Sequence, residues 1–160
     1  MLESKLYLRF TTEEDLEELF LFQLDTEANY LAAFTPKQPL DLEAYLAKYR
    51  PFLDDPTINN QTILLDGEIV GSIAKFEIEG EAEITYWIDR QMWGKGIGAD
   101  ALRQFLELEQ SRPLHARVAF DNIGSQKVLE KNGFLRMGTD TGYANARGKE
   151  IEEYIYRLEK

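Results

Sequence analysis

The chain has 160 residues, 44% hydrophobic and 29% charged, enough for one self-sufficient core and short for two. A formal charge of −11 sets the molecule as a whole against DNA, RNA and anionic membrane; the lack of cysteine removes disulfides, thiolate metal sites and cysteine nucleophiles. A lone histidine, His115, is too few for multi-histidine metal centres or relays, and with no bilayer-length apolar run or signal-like start in MLESKLYLRF, one cytoplasmic domain over residues 1–160 is expected.

Lys5 to Phe10 alternates as a first strand. Thr12 stands three residues before Asp15, as in a capping box, and Leu16, Leu19, Phe20 and Leu24 follow at helical spacing. Pro36 and Pro39 make the stretch from about Tyr30 to Pro39 a loop. Asp41 caps a second helix with its stripe at Leu42, Tyr45, Leu46 and Tyr49, which Pro51 ends or kinks. The period then becomes two. Gln61–Leu65 and Glu68–Phe76 flank Asp66-Gly67 as a hairpin, and Glu79-Gly80 turns into a strand at Glu83–Ile88. From Gly94 the spacing of Ile97, Ala101, Leu102, Phe105 and Leu106 is helical again. Leu114–Phe120 reads as a strand, and Asn122–Lys131 as a helix stopped by Asn132-Gly133 in a left-handed cap. Phe134–Met137 and Ile151–Leu158 are the last strands, with a polar loop around Tyr143 to Lys149. The order β-α-α-β-β-β-α-β-α-β-β predicts an α/β fold, with helices on the faces of a mixed sheet.

The most informative stretch is Tyr86 to Leu102, YWIDRQMWGKGIGADAL. A strand ends near Asp89, a glycine-rich turn covers Gly94 to Gly98, and a helix begins at once. Glycine lets the backbone approach an anion, the helix adds unpaired N–H groups and its positive dipole end, and Arg90 and Lys95 add local positive charge. The spacing is not the GxGxxG of dinucleotide folds and lacks the GK[ST] ending of a P-loop, leaving Gln91-x-x-Gly94-x-Gly96 after a strand and opening a helix. Steric need for glycine in a tight turn is the competing explanation.

At these residues the sequence resembles the GNAT superfamily of acyl-CoA-dependent N-acetyltransferases, and within it the ribosomal-protein-alanine acetyltransferase-like branch. A second stretch carries the same resemblance: Asp121-Asn122-x-x-Ser125-x-x-Val128-Leu129-Glu130-Lys131-Asn132-Gly133-Phe134. The resemblance runs from the LYLRF opening to the last strand. It implies a mostly antiparallel sheet of about seven strands flanked by about four helices, a splayed strand pair that admits pantetheine, and acetyl-CoA as cosubstrate with no metal. Implied coenzyme contacts are Ile88, Gln91, Met92, Trp93, Gly94, Lys95, Gly96, Ile97, Gly98, Asn122 and Ser125, with Lys127, Lys131 and Arg136 opposite a remote phosphate. An ordinary solvated helix face also explains the lysines.

Acetyl transfer to an amine requires alignment of a neutral amine with the thioester carbonyl, stabilisation of the developing oxyanion, and an acceptor for the amine's proton. The resemblance implies direct attack in a ternary complex, with which the absence of cysteine agrees. Glu83 is the candidate general base, directly or through a water; the alternative is an acidic residue on a wet strand end. In regular strand geometry Glu83, Thr85 and Trp87 share one face and Ile84, Tyr86 and Ile88 the other, although a bulge would shift that register. Leu129 occupies the position of the family's acid tyrosine and cannot donate a proton, so Ser125, water or late protonation of the thiolate takes that part. Thr85, Trp87 and Tyr143 are candidate substrate contacts, with a plain exposed aromatic as the other reading of Tyr143. His115 reads as structural.

An acidic protein favours a cationic amine, and an α-amine with pKa around 7.7–8.0 is more often neutral than a lysine amine near 10.4. The first-choice acceptor is therefore a peptide or protein N-terminus; a small amine (polyamine, amino acid or antibiotic) is the second. A non-catalytic coenzyme A-binding or interaction module on the same fold is the alternative from another class. No nucleic-acid or membrane partner is expected, and the chain is expected to be a monomer or homodimer.

Overall fold

Strand β1 (Leu6–Phe10) follows from its alternation: Leu6 and Leu8 pack against the main core, while Arg9 turns to the other face and meets Asp15. This is a computed structural model, and it describes residues 5–35 and 41–160; the part of the predicted Tyr30–Pro39 loop that holds Pro36 and Pro39 lies outside the described residues. Helix α1 (Glu13–Phe22) begins where Thr12 donates its backbone N–H to the Asp15 carboxylate, the expected reach back to the cap. Asp15 also accepts two bonds from Arg9 and one from Thr62 Oγ1, so this nearly fully buried carboxylate ties α1 to the first two strands.

A short helix follows that the sequence pattern did not predict: α2 (Thr26–Ala32), capped by Asp25, which accepts from the Ala28 N–H. Helix α3 (Leu42–Tyr49) starts at Asp41 as expected and packs on α1 through the Phe20–Tyr45 ring pair. The described residues thus hold five α-helices rather than about four. Strands β2 (Asn59–Leu65) and β3 (Glu68–Ile78) form the expected hairpin, and β3 pairs antiparallel with β4 (Glu81–Ile88). Helix α4 (Ile97–Leu108), strand β5 (Leu114–Ala119) and helix α5 (Ile123–Lys131) come next, with Gly133 at φ +88° after α5 as predicted for its cap.

The chain ends in β6 (Leu135–Ala144) and β7 (Lys149–Leu158). Strand β6 is much longer than the predicted Phe134–Met137, and Tyr143 lies in it rather than in a loop; residues 145–148 alone make the turn. The sheet has the order β1-β2-β3-β4-β5-β7-β6, with β4–β5 the parallel neighbours and the other pairings antiparallel.

Side-chain alternation then fixes two faces. Ile63, Ile73, Ile84, Leu114, Ala116, Val118 and Tyr156 pack with Leu102 and Phe105 of α4 and Leu129 of α5 to form the main core. The other face carries Thr62, Trp87, Ala119, Ala144 and Ile151, covered by α1, α2 and Ala33. Among the described residues no helix is long and apolar enough to cross a membrane.

Candidate active site

The parallel neighbours β4 and β5 pair over two positions only, Ala82↔Leu114 and Glu83↔His115. Past them, Thr85 to Ile88 and Arg117 to Ala119 diverge, leaving a wedge open toward the strands' C-terminal ends. Which backbone groups line it follows from the register with β3. Asp89 N–H donates to Val70 O at 2.8 Å, so Asp89, Trp87, Thr85 and Glu83 point their N–H and C=O groups at β3. Those of Tyr86 and Ile88 therefore face the wedge. The Ile88 carbonyl accepts a 3.0 Å bond from the Trp93 indole N–H, which leaves Tyr86 N–H, Tyr86 C=O and Ile88 N–H as wedge-facing groups. Sheets seldom leave such a row unpaired inside the molecule, because each unpaired group carries a desolvation cost.

At the mouth of the wedge lies the glycine turn. Asp89 caps a single 3-10 turn at Arg90–Met92, accepting from the Gln91 N–H, and Trp93 leads into Gly94 (φ +78°) and Gly96 (φ +77°), the cap residue of α4. Gly98 has a different reason to be glycine, since a Cβ there would sit 3.2 Å from Val128 Cγ2. Two of the three glycines thus serve the backbone path and the third serves close approach of α4 to α5. The first i→i−4 bond of α4 runs from Asp100 N–H to Gly96 O, so the preceding N–H groups from Gly96 to Ala99 have no helical partner. Lys95 stands exposed beside them with its ammonium 3.9 Å from Met92 Sδ. Arg90 does not contribute its charge as expected: its guanidinium pairs with Asp25 at 2.6 Å and Glu27 at 3.1 Å, fastening α2 to the end of β4. Asp25 holds its carboxyl below the usual range because of the Ala28 N–H and the Arg90 guanidinium.

The far side of the wedge is α5. Asn122 caps it, accepting from the Ser125 N–H, and donates to Leu31 O of α2. Ser125 Oγ lies 2.6 Å from the Tyr86 hydroxyl, which also donates toward the Ser125 carbonyl at 3.1 Å. Burial pushes the Tyr86 phenol up to about 12, with the Ser125 bond pulling slightly the other way. Leu129 is buried in the core. Lys127 and Lys131 are exposed on α5, and Arg136 stacks over Tyr154 at 4.2 Å.

Glu83 lies on the opposite face, close to the apex where β4 and β5 part. Its carboxylate accepts from Arg117 Nε at 3.3 Å, and Arg117 also meets Asp140 at 3.2 Å and Glu153 at 2.7 Å. Glu153 and Asp140 hold the Arg117 guanidinium well above its ordinary pKa. One cation therefore serves three carboxylates, a cluster spanning four strands that no local pattern announced. Thr85 shares the Glu83 face and is exposed; Trp87 shares it too and donates its indole N–H to Phe22 O at the end of α1. Tyr143 alternates to the other face, away from Glu83, Gly142 and Ala144, and is 59% exposed. His115 meets Ala82 O at 3.2 Å at the wedge apex, a structural placement.

The wall beyond this face is laced together. Arg147, in the β6–β7 turn and 2% exposed, makes a bidentate pair with Asp121, donates to Tyr30 O and stacks 3.8 Å from the Tyr30 ring. Asn145 donates to Thr35 O and Ala146 N–H to Ala33 O.

A split parallel pair feeding a glycine turn at a helix N-terminus is the arrangement the sequence resemblance implied. The sequence profile of the Acetyltransferase (GNAT) domain matches residues 5–135. The chain belongs to the GNAT acetyltransferase family. A relative, the uncharacterized N-acetyltransferase p20 of Bacillus licheniformis, is 32% identical over 101 residues, which is 58% of this chain and 56% of that protein. The chain spans about half the length of the sequence relatives it matches. Among solved GNAT-fold structures, the RimL ribosomal L7/L12 alpha-N-protein acetyltransferase in complex with coenzyme A superimposes with a TM-score of 0.84 at 20% identity, covering 96% of this chain and 93% of that one. Spermidine N-acetyltransferase from Vibrio cholerae, in complex with CoA and spermine, gives 0.83 at 16% identity, covering 96% and 95%.

Proposed function

We propose that this chain transfers the acetyl group of acetyl-CoA to a primary amine, with a peptide or protein N-terminal α-amine as first acceptor. The carrying observation is the β4–β5 wedge, faced by Tyr86 N–H, Tyr86 C=O and Ile88 N–H, together with the free N–H groups of Gly96 to Ala99 at the start of α4, the helix that follows β4 in the chain. An extended amide-bearing arm ending in a pyrophosphate matches that sequence of donors and acceptors, with phosphate on the helix N-terminus. Lys95, Gln91 and the Gly94–Gly98 backbone serve the phosphates, and Asn122 and Ser125 border the arm. The Ile88 or Tyr86 N–H polarises the thioester carbonyl.

The acceptor approaches from the face that carries Glu83, Thr85 and Trp87. Its proton passes to Glu83 or to a water that Glu83 holds, and Arg117, donating to that carboxylate, orients it. Three carboxylates against one guanidinium leave this face anionic, which attracts a cationic amine before it loses its proton. The fold neighbours include a ribosomal-protein α-N-acetyltransferase and a spermidine N-acetyltransferase, one for each acceptor class, and the lower pKa of an α-amine favours the first.

The test is release of free coenzyme A thiol across a panel of α-amino peptides, polyamines and amino acids, with calorimetric titration of coenzyme A against NAD. Peptide-dependent thiol release is the expected result. Coenzyme A binding without release on any amine would overturn the enzyme reading in favour of a binding module. Tighter binding of NAD than of coenzyme A would overturn both.

A further inference from the structure

The sequence lacks a hydroxyl at Leu129, the position on α5 from which a tyrosine would be expected to act, and Leu129 is buried in the core. The structure supplies a phenol from a different element. Tyr86 reaches from β4, one lip of the wedge, to Ser125 on the first turn of α5, the helix that follows the other lip. The bond therefore bridges the wedge, and an arm seated between the lips lies against it. We infer that Tyr86 is a positioning residue that aims the Ser125 hydroxyl at the departing sulfur, in place of a hydroxyl at Leu129. This rests on the coenzyme reading of the wedge.

The argument is one of counting hydrogens. The Tyr86 hydroxyl has one proton and two acceptors within reach, Ser125 Oγ at 2.6 Å and Ser125 O at 3.1 Å. When that proton goes to Oγ, the nearer, Ser125's own O–H is free to donate to a third group. A hydroxyl that accepts from a phenol is polarised and becomes a better donor. That donation requires a protonated phenol. Tyr86 is half-buried and packs against the same core as Ile88 and Val128, and its raised pKa has loss of solvent as its main cause, so the phenol stays protonated at neutral pH.

In the transfer step the amine nitrogen bonds to the acetyl carbon, the carbon–sulfur bond breaks, and its electron pair leaves on sulfur. The amine's proton goes to Glu83 or water. The Ser125 hydrogen bond stabilises the sulfur anion, which solvent protonates on departure, so neither Tyr86 nor Ser125 changes its charge. An ordinary packing role for Tyr86 would leave the sulfur's acidity untouched.

That difference sets the test, which needs no acceptor amine. Coenzyme A is bound to the full-length protein, and the pKa of its thiol is read from ultraviolet thiolate absorbance as pH is raised. Wild type is expected to lower that pKa relative to free coenzyme A. S125A is expected to raise it by about one unit, the loss of one charge-assisted hydrogen bond, and Y86F by roughly half a unit. S125T is expected to retain the wild-type value. The double variant is expected to match S125A alone, because Tyr86 acts through Ser125. Thermal unfolding of each variant checks that the fold is intact, and S125A, which removes no core contact, keeps the test decisive if Y86F fails to fold. A thiol pKa indifferent to S125A overturns the inference while leaving the coenzyme reading standing. So does a Y86F shift of equal size with and without Ser125. Failure of wild type to bind coenzyme A overturns both.

Discussion

Replacing Arg147 with methionine removes the best-connected side chain on the acceptor wall while keeping most of its apolar stem. The loss comprises a bidentate pair at 2.9 and 2.8 Å to Asp121, a bond to Tyr30 O and a stacking contact with the Tyr30 ring. Hydrogen bonds to charged groups contribute more than neutral ones, and Arg147 is almost wholly enclosed. Asp121 is 34% exposed and rehydrates once its partner is gone, which keeps the penalty below that of a fully buried orphaned charge. The expected cost is about 3 kcal/mol, corresponding to a fall in Tm of roughly 6–12 °C for a chain of this size. Urea unfolding followed by the fluorescence of Trp87 and Trp93 measures it. Because the same turn is tied to Ala33 and Thr35, the acceptor KM is expected to rise with little change in the KM for acetyl-CoA. Arg147→Lys keeps the charge but not the planar fork and falls between the two. A cost below about 1 kcal/mol for Arg147→Met would refute the assignment of this clamp as a stabilising element.

Other changes have equally defined outcomes. Glu83→Gln is expected to cut kcat at neutral pH by at least tenfold with coenzyme A affinity preserved, and an unchanged pH–rate profile would remove Glu83 as the base. Gly96→Ala meets no atom within 4 Å, so its cost is the left-handed backbone at φ +77°, about 1 kcal/mol; calorimetry should also show weaker coenzyme A binding, because the turn that presents the α4 N–H groups is strained. For Asp15, burial works to raise the carboxyl, but Arg9, the Thr12 N–H and Thr62 outweigh it and leave it below its ordinary value. Its folded-state pKa being depressed, its contribution is present above the unfolded value of about 3.9 and is lost as pH falls through the folded one. Wild-type stability should therefore decline below about pH 4, and Asp15→Asn, at a cost of about 2 kcal/mol near neutrality, should flatten that decline in denaturant titrations at stepped pH.

The parts of this fold legible in sequence are those whose burial follows a local period. The β2–β3 hairpin, with Asp66 and Gly67 at positive φ in its turn, and the stripes of α4 and α5 needed no tertiary information. Helix α2 escaped because TEANYLA is short and buries Ala28 and Asn29, residues without a hydrophobic signal. The second half of β6 escaped because it lies at the sheet edge, its alternate positions open to water or filled by glycine, so no alternation is imposed on it. Within the site, the glycine turn and the Ser125 helix start were visible as motifs. The partners of Arg90, Arg117 and Arg147 were not, since each meets carboxylates at least 23 residues away. The pairing of Tyr86 with Ser125 was half visible: alternation placed Tyr86 on the face of Ile84 and Ile88, but only the placement of α5 shows what it touches.

The two-position pairing of β4 with β5 also divides the sheet mechanically. Strands β1 to β4 form one slab and β5, β7 and β6 another, joined at a seam of Ala82–Leu114 and Glu83–His115. Asn132 braces that seam from the helix layer, donating from one amide to Ala99 O of α4 and Val128 O of α5. A guest that bonded the Tyr86 and Ile88 backbone would act as a temporary eighth strand, and occupancy is expected to stiffen the whole molecule rather than one pocket. Amide exchange in β5, on the slab the guest does not directly pair with, should slow on binding.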